Sequence, residues 1–440
     1  MKDFLKHIVV TIITLESRLV LKKYKPRIVA VTGSVGKTSA KDAIASVLAS
    51  ASVDGRRRNF TIRKSKKSFN SEIGVPLTIL DCENAWGSIF GWVKNILRGA
   101  ELVLFRNDYP DILVLEAGVG KPGDIAWIAD LITPEVAVMT RIGDVPVHVE
   151  YFSSPEAILR EKARLVEAVP KGGLVVLNHD DARVMSVVDK CRAEVVTFGF
   201  SPDASLRAEH DKVQYHDYKP VGLTFKVAYD DGGSIPVNIM GVFGRQHVYA
   251  ALAALTVAAH FRVNMVEAAQ AIEAWVPAPG RFRLLDGIKD TVILDDTYNS
   301  SPAALEAALL ELKSMKVKEG ARRVAVLGDM LELGKFAIAE HKRLGMEAGS
   351  FCDLVVTVGV RARYFAEGAL DGGLADGKIL QFDDARTAGL YLQNEIRDHD
   401  VILIKGSQLI RMERTVEEVM AHPELKEQLL VRQEAEWGRR

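Results

Sequence analysis

The chain has only three cysteines in 440 residues, Cys82, Cys191 and Cys352, an odd number without metal-ligand spacing. That excludes a disulfide framework and a cysteine zinc site, and fits free thiols in a reducing, cytoplasmic compartment. Net charge is also lacking. Lys and Arg number 57 against 58 Asp and Glu, so the overall balance of −1 marks no nucleic-acid partner. No hydrophobic run of membrane length is unbroken. The most apolar stretch, residues 4–21, is interrupted by Lys6, His7, Glu16 and Arg18, which excludes a bilayer span, and no small-residue cleavage site follows it. Solenoid repeats and low-complexity segments are missing too. What is present is 48% hydrophobic and 26% charged, a globular composition. The length exceeds one ordinary core, so roughly two or three domains are expected.

The stretch Ile28–Ser39 organises the rest. An apolar, largely β-branched run (Ile28, Val29, Ala30, Val31) turns at Gly33 and Gly36 into a helix opening at Lys37-Thr38. Glycines there let backbone N–H groups converge on phosphate oxygens at a helix N-terminus. In such a loop Gly33, Ser34, Gly36 and Ser39 line the phosphates, Lys37 reaches the β/γ-phosphates and the Thr38 hydroxyl holds Mg²⁺. The full phosphate-loop pattern wants glycine at position 31, where this chain has valine. A plain tight turn is the alternative. Residues 4–21 ahead of the loop read either as a helix packed on the first domain or as an interfacial helix, with Lys22, Lys23, Lys25 and Arg27 facing anionic lipid.

Further along, Arg56, Arg57, Arg58, Arg63, Lys64, Lys66 and Lys67 form a basic run, either a solvated face or an anion-binding surface one helix from the phosphate loop. Residues 68–78 mix small polar residues, Gly and Pro and read as a structured loop. Ile112–Leu115 is a buried-strand pattern ending at Glu116, a carboxylate placed where a Mg²⁺ ligand sits. His148 follows the strand at residues 135–140, and a lone histidine there is structural or a ligand. Lys162 lies early in a helix and is unremarkable on spacing alone. Strands follow at 174–177 and 194–198, then short alternating antiparallel strands over 204–239 around a turn at Asp230–Gly233, then helices at 247–261 and 265–275. Pro277 and Pro279-Gly280 mark the main boundary. Beyond it strands alternate with helices again, and the strand ends carry polar clusters: Asp295–Asn299, Gly328–Glu332 and Lys405–Ser407. The expected fold is α/β: a tail or helix over 1–27, a central P-loop domain with a parallel sheet over 28–278, and a Rossmann-like domain over 279–440.

Taken together, Thr32–Thr38, Asn70–Thr78, Leu177–Asp181, Asp295–Pro302, Gly328–Gly334 with His341, and Lys405–Ser407 resemble the Mur ligase family of ATP-dependent amide-bond-forming enzymes. Ile73–Thr78 and Asp295–Pro302 are similar to its D-alanyl-D-alanine-adding branch. The resemblance runs from about Lys25 to Val419 and makes 279–440 a ligase domain.

The resemblance implies ATP and Mg²⁺ as cofactors, with Lys37 and Thr38 on the phosphates and Glu116, His148 and Lys162 joining Thr38 as metal ligands. Lys162 matches a lysine that the family carries as a carbamate. Arg281 resembles an arginine that contacts phosphate, and Asp296, Tyr298 and Asn299 resemble residues that meet the nucleotide on domain closure. Gln246-His247 stands where the family has a His-Asn pair near adenine, which places His247 at the nucleotide. Lys37, Lys162, His148 and Arg281 are thus the expected catalytic set. The implied reaction passes through an acyl phosphate of a peptide precursor, which the amine of D-alanyl-D-alanine attacks, in a monomer with small-molecule partners. Complete family members begin with a domain that grips a UDP-sugar, and only about 27 residues precede the P-loop strand here. The resemblance therefore implies a protein lacking that domain, with membrane proximity through residues 4–21. Two alternatives stay open: a related ligase with another carboxylate and amine, and a nucleotide-binding scaffold without chemistry.

Overall fold

The structure is a computed structural model that describes residues 2–50, 52, 60–66, 69–229, 232–434 and 437. Arg56, Arg57, Arg58, Lys67 and Ser68 of the basic stretch, and Asp230 and Asp231 of the hairpin turn, lie outside the described residues.

Helix α1 (Lys2–Tyr24) precedes a nine-stranded sheet built from β1 (Arg27–Thr32), β2 (Ile62–Lys64), β3 (Ile112–Glu116), β4 (Val136–Met139), β5 (Leu174–Asn178), β6 (Glu194–Gly199), β7 (Leu206–His216), β8 (Lys219–Tyr229) and β9 (Ser234–Met240). Its order is β2-β3-β1-β4-β5-β6-β7-β8-β9, parallel as far as β7 and antiparallel through β8 and β9. The helices are α2 (Lys37–Ser50), α3 (Gly74–Leu80), α4 (Ile89–Leu104), α5 (Asp124–Ile132), α6 (Pro155–Glu167), α7 (Ala182–Met185), α8 (Arg245–His260) and α9 (Met265–Glu273). Strand β1 shows why its sequence is apolar throughout. Val29 and Val31 enter the core under α2 and α8, while Ile28 and Ala30 enter the opposite core under α3 and α5, so both faces are covered.

A second, six-stranded sheet holds β10 (Arg283–Asp286), β11 (Val292–Asp296), β12 (Arg323–Gly328), β13 (Leu354–Val358), β14 (Ile379–Phe382) and β15 (Val401–Lys405). The order is β10-β11-β15-β12-β13-β14, parallel except for the edge strand β10. Helices α10 (Pro302–Ser314), α11 (Ala337–Gly349), α12 (Arg363–Asp371), α13 (Ala385–Glu395) and α14 (Glu413–Val419) flank it. The strand C-termini of both sheets meet at one cleft, the usual location for ligands of open parallel sheets.

Three features differ from the sequence reading. The expected loop at 68–78 ends in a buried helix, α3, because Pro76 falls in the first turn, where its missing N–H costs no bond. Helix α4 has no counterpart in the sequence reading. The second sheet carries one antiparallel edge. Helix α1 is packed: Ile13, Ser17 and Val20 are fully buried, and Lys23 Nζ donates to the carbonyls of Leu102 and Val103 at 2.9 and 3.0 Å. Among the described residues no helix is long and apolar enough to cross a membrane.

A candidate nucleotide site between the two sheets

Strand β1 delivers its last residue, Thr32, to a loop pinned on the end of β4. Ser34 N and Val35 N donate to Arg141 O at 2.7 and 3.0 Å, and Thr140 Oγ1 donates to Val35 O at 2.7 Å. Gly33 has φ +143°, and a Cβ there would lie 2.0 Å from Thr140 Oγ1, so only glycine fits. Val31, standing where the longer motif has glycine, is fully buried within β1; the loop proper begins after the strand. Ser34 Oγ is buried without a partner, a donor left for a ligand.

Two lysines converge on one carbonyl. Lys37 Nζ donates to Gly33 O at 2.9 Å and Lys162 Nζ to the same oxygen at 2.8 Å. Burial pushes the Lys37 ammonium down from its usual pKa; Glu116 opposes this and Arg281 adds to it. Burial pushes Lys162 far lower, with the charge on Lys37 adding to it and Glu116 and Glu161 opposing.

Thr38 is the hub of the polar contacts. Its Oγ1 donates to Glu116 Oε2 at 3.0 Å and accepts from Arg281 at 2.8 Å, and Glu116 Oε1 accepts from Asn70 Nδ2 at 2.9 Å. Arg281 comes from beyond the domain boundary, so this bond ties the two halves together. Its guanidinium stacks 3.7 Å over the Tyr298 ring. Lys405 Nζ donates to Asp296 Oδ2 and to Asn299 O. Ser34, Gly36, Lys37, Thr38, Ser39, Glu116, His148, Arg281, Asp296, Tyr298 and Asn299 all line a single cleft of about 360 Å³.

Residues 31–91 and 94–258 match the Mur ligase middle domain, and 280–408 match the Mur ligase glutamate ligase domain. The chain belongs to the Mur ligase family. Members of this family are ATP- and Mg²⁺-dependent ligases. Among curated relatives, the UDP-N-acetylmuramoyl-tripeptide–D-alanyl-D-alanine ligase of Mycobacterium tuberculosis is 31% identical over 86% of this chain and 70% of its own. The enzyme of the same name from Bacillus subtilis is 26% identical over 92% and 78%. Among solved structures, the MurF ligase from Thermotoga maritima in complex with ADP superposes with TM-score 0.72 at 24% identity, covering 93% of this chain and 83% of that one.

Within this Mur ligase, the expected metal set is brought together only in part, and the expected place of His247 needs correction. Of the four residues expected around a metal, the structure joins Thr38 and Glu116 but adds neither His148 nor Lys162. Among the described residues no group of three or more His, Cys, Asp or Glu is assembled to hold a metal ion. His148 Nδ1 lies 2.6 Å from Glu332 Oε2 instead, a polar contact between the two halves across the cleft rim. His247 does not reach the cleft. It is fully buried, with Nε2 3.2 Å from Phe282 O and its ring edge-on to Trp275, and burial lowers its pKa to about 4. The cleft direction on α8 belongs to Gln246, because neighbours on a helix point about 100° apart.

Other polar residues of the family pattern hold the frame. Glu161 accepts from the backbone N–H groups of Gly123, Ile125 and Ala126, capping α5 and fixing the loop after Glu116. Asp181 accepts from Ile142 N and Gly143 N. His341 is buried with its pKa lowered to about 4, so it is neutral. It accepts from Met330 N at 3.0 Å and thereby sets the loop that carries Glu332. Glu161 was missed on sequence because the N–H groups that donate to it belong to the start of a different helix, α5.

The residues present fit ATP and Mg²⁺. A buried orphan hydroxyl and two cations surround a helix N-terminus suited to phosphate, and the Thr38–Glu116 oxygens suit a hard cation.

Proposed function

We propose that the chain is an ATP-dependent ligase that joins D-alanyl-D-alanine to the peptide carboxylate of a UDP-muramoyl-tripeptide-type precursor, acting as a monomer. The observation that carries the reading is the bond from Arg281 to Thr38, which assembles one phosphate site from both halves of the chain. The names of the 26–31% identical relatives supply the substrates. Bound ATP with Mg²⁺ supplies the phosphoryl group that activates the carboxylate for attack by an amine.

The protein's own part is positioning and charge compensation. Lys37, Arg281 and the loop N–H groups hold phosphate oxygens. Thr38 and Glu116 hold the metal, and closure around Asp296, Tyr298 and Asn299 excludes water. Lys162 is buried, and burial favours its neutral amine, the form that adds CO₂. In that addition a new N–C bond forms as one C–O π bond of CO₂ opens and the nitrogen releases its proton to water, leaving a carbamate anion that would suit Mg²⁺ as a ligand. His148 would be able to join that set only on giving up its contact with Glu332.

Within these residues α1 is the only element before β1. We assign the far end of the acceptor to the cavity lined by Phe69, Ser71, Trp86, Tyr298 and Trp437. The test is phosphate release from ATP with a panel of acceptors and amines. Release requiring both the muramoyl-tripeptide and D-alanyl-D-alanine supports the assignment. Release with another amine alone makes it a related ligase, and no release with any pair makes it a scaffold.

A further inference from the structure

Helix α4 carries more apolar surface than the fold covers. Its buried side runs through Asn95, Gly99 and Leu102, with Trp92, Ile96 and Val103 packed beside them on the core. At about 100° per residue, Ile89, Phe90, Val93, Leu97 and Leu104 fall on one contiguous arc. They are 72%, 88%, 49%, 64% and 73% exposed. Single exposed apolar side chains need no explanation, but five on one helix face do.

Helix α1 runs alongside in the same direction. Glu16 lies against Gly99, and Lys23 reaches the carbonyls at the end of α4. The exposed apolar residues of α1, Ile8, Leu15 and Leu19, share one stripe. For two parallel helices touching at these positions, the helical spacing opens both stripes on the same side. Cations accompany the apolar surface. Lys22 and Lys25 are exposed at the end of α1, Lys94 sits beside the arc, and Arg106 follows α4, while Arg98 pairs with Glu101, the one acidic residue of α4. The match to the family's middle domain is interrupted at residues 92–93, on this helix.

We propose that the α1–α4 face docks on an anionic phospholipid membrane, lying in its interface. Ile89, Phe90, Val93, Leu97 and Leu104 enter the acyl boundary, and Lys22, Lys25, Lys94 and Arg106 meet the headgroups. Apolar area and charge together supply the two signals that stable peripheral binding requires. Trp86, two residues before the N-cap Ser88, also lines the cavity containing Tyr298 and Trp437, so docking brings that cavity to the bilayer surface. The surface stands independently of the ligase reading.

The test is flotation of the full-length chain with phosphatidylcholine vesicles and with vesicles that also contain phosphatidylglycerol. The chain is expected to float with the anionic vesicles, and less so as salt rises. Val93→Glu with Leu97→Glu should cut flotation about tenfold while ADP binding stays at the parental level, which shows that the fold persists. Lys22→Glu with Lys94→Glu should weaken binding to the anionic vesicles alone. A parent chain that stays unbound with both vesicle types overturns the proposal, as does a Val93→Glu/Leu97→Glu variant that floats like the parent. A sedimentation dimer that those two substitutions disperse would show a second copy covering the face, and would overturn it equally.

Discussion

Replacing Arg281 with alanine removes two contacts at once: the hydrogen bond to Thr38 Oγ1 at 2.8 Å and the stack on Tyr298 at 3.7 Å. A hydrogen bond from a charged donor is worth about 1.5–3 kcal/mol. A partly desolvated cation–π contact adds about 1 kcal/mol. Together they amount to about 3 kcal/mol, or about 150-fold in kcat/KM. Arg281→Lys keeps the charge but loses the planar fork and the stack, so about half of that energy, roughly tenfold in rate, is the expected loss. The assay is the initial rate of ADP release against ATP concentration for the parent and both variants. An alanine variant within threefold of the parent, or a lysine variant worse than alanine, would refute the idea that this arginine completes the phosphate site.

Three further perturbations follow from the same geometry. Lys162→Ala should abolish turnover, and added short carboxylic acids should restore part of it by taking the place of the carbamate; unaltered turnover removes Lys162 from the site. Glu16, buried with Oε2 unpartnered, has its pKa raised from 4.5 to about 7 by burial. Its contribution to stability is complete below pH 4.5 and is lost as pH rises through 7, a difference of about 3 kcal/mol at most. Thermal denaturation at pH 5 and pH 8 should show the parent losing stability between them and Glu16→Gln losing much less; equal losses contradict this. For His148 and Glu332, a double-mutant cycle on ADP release with His148→Ala and Glu332→Ala should show a coupling of about 0.5–3 kcal/mol. Strict additivity would mean that this contact has no bearing on closure.

Most strands of both sheets were legible in the sequence, the edge strands β2 and β10 excepted, because parallel strands buried on both faces read as short apolar runs. Val292–Asp296 and Leu354–Val358 are such runs, the first ending in two aspartates where the chain leaves the core. The phosphate loop was legible for the same reason, since Val31 belongs to the strand and not to the loop. Helix α3 was hidden by Pro76, which reads as a breaker unless its place in the first turn is known. Helix α4 was hidden because it carries exposed apolar residues as well as those on the core, which blurs the one-sided stripe that marks a packed helix. The pairing of His148 with Glu332 was beyond reach, as it depends on how a loop of the first sheet meets a loop of the second. His247 was misplaced for a local reason: the residue beside it on α8, Gln246, takes the direction of the cleft.

The most direct measurement of the central claim is the product itself. The chain is incubated with ATP, Mg²⁺, UDP-muramoyl-tripeptide and D-alanyl-D-alanine, and ADP and the mass of the peptide are followed together. The account predicts ADP released in step with a precursor heavier by one dipeptide less one water, and none when either substrate is left out. ADP release without that product, or no release with this pair, would contradict it.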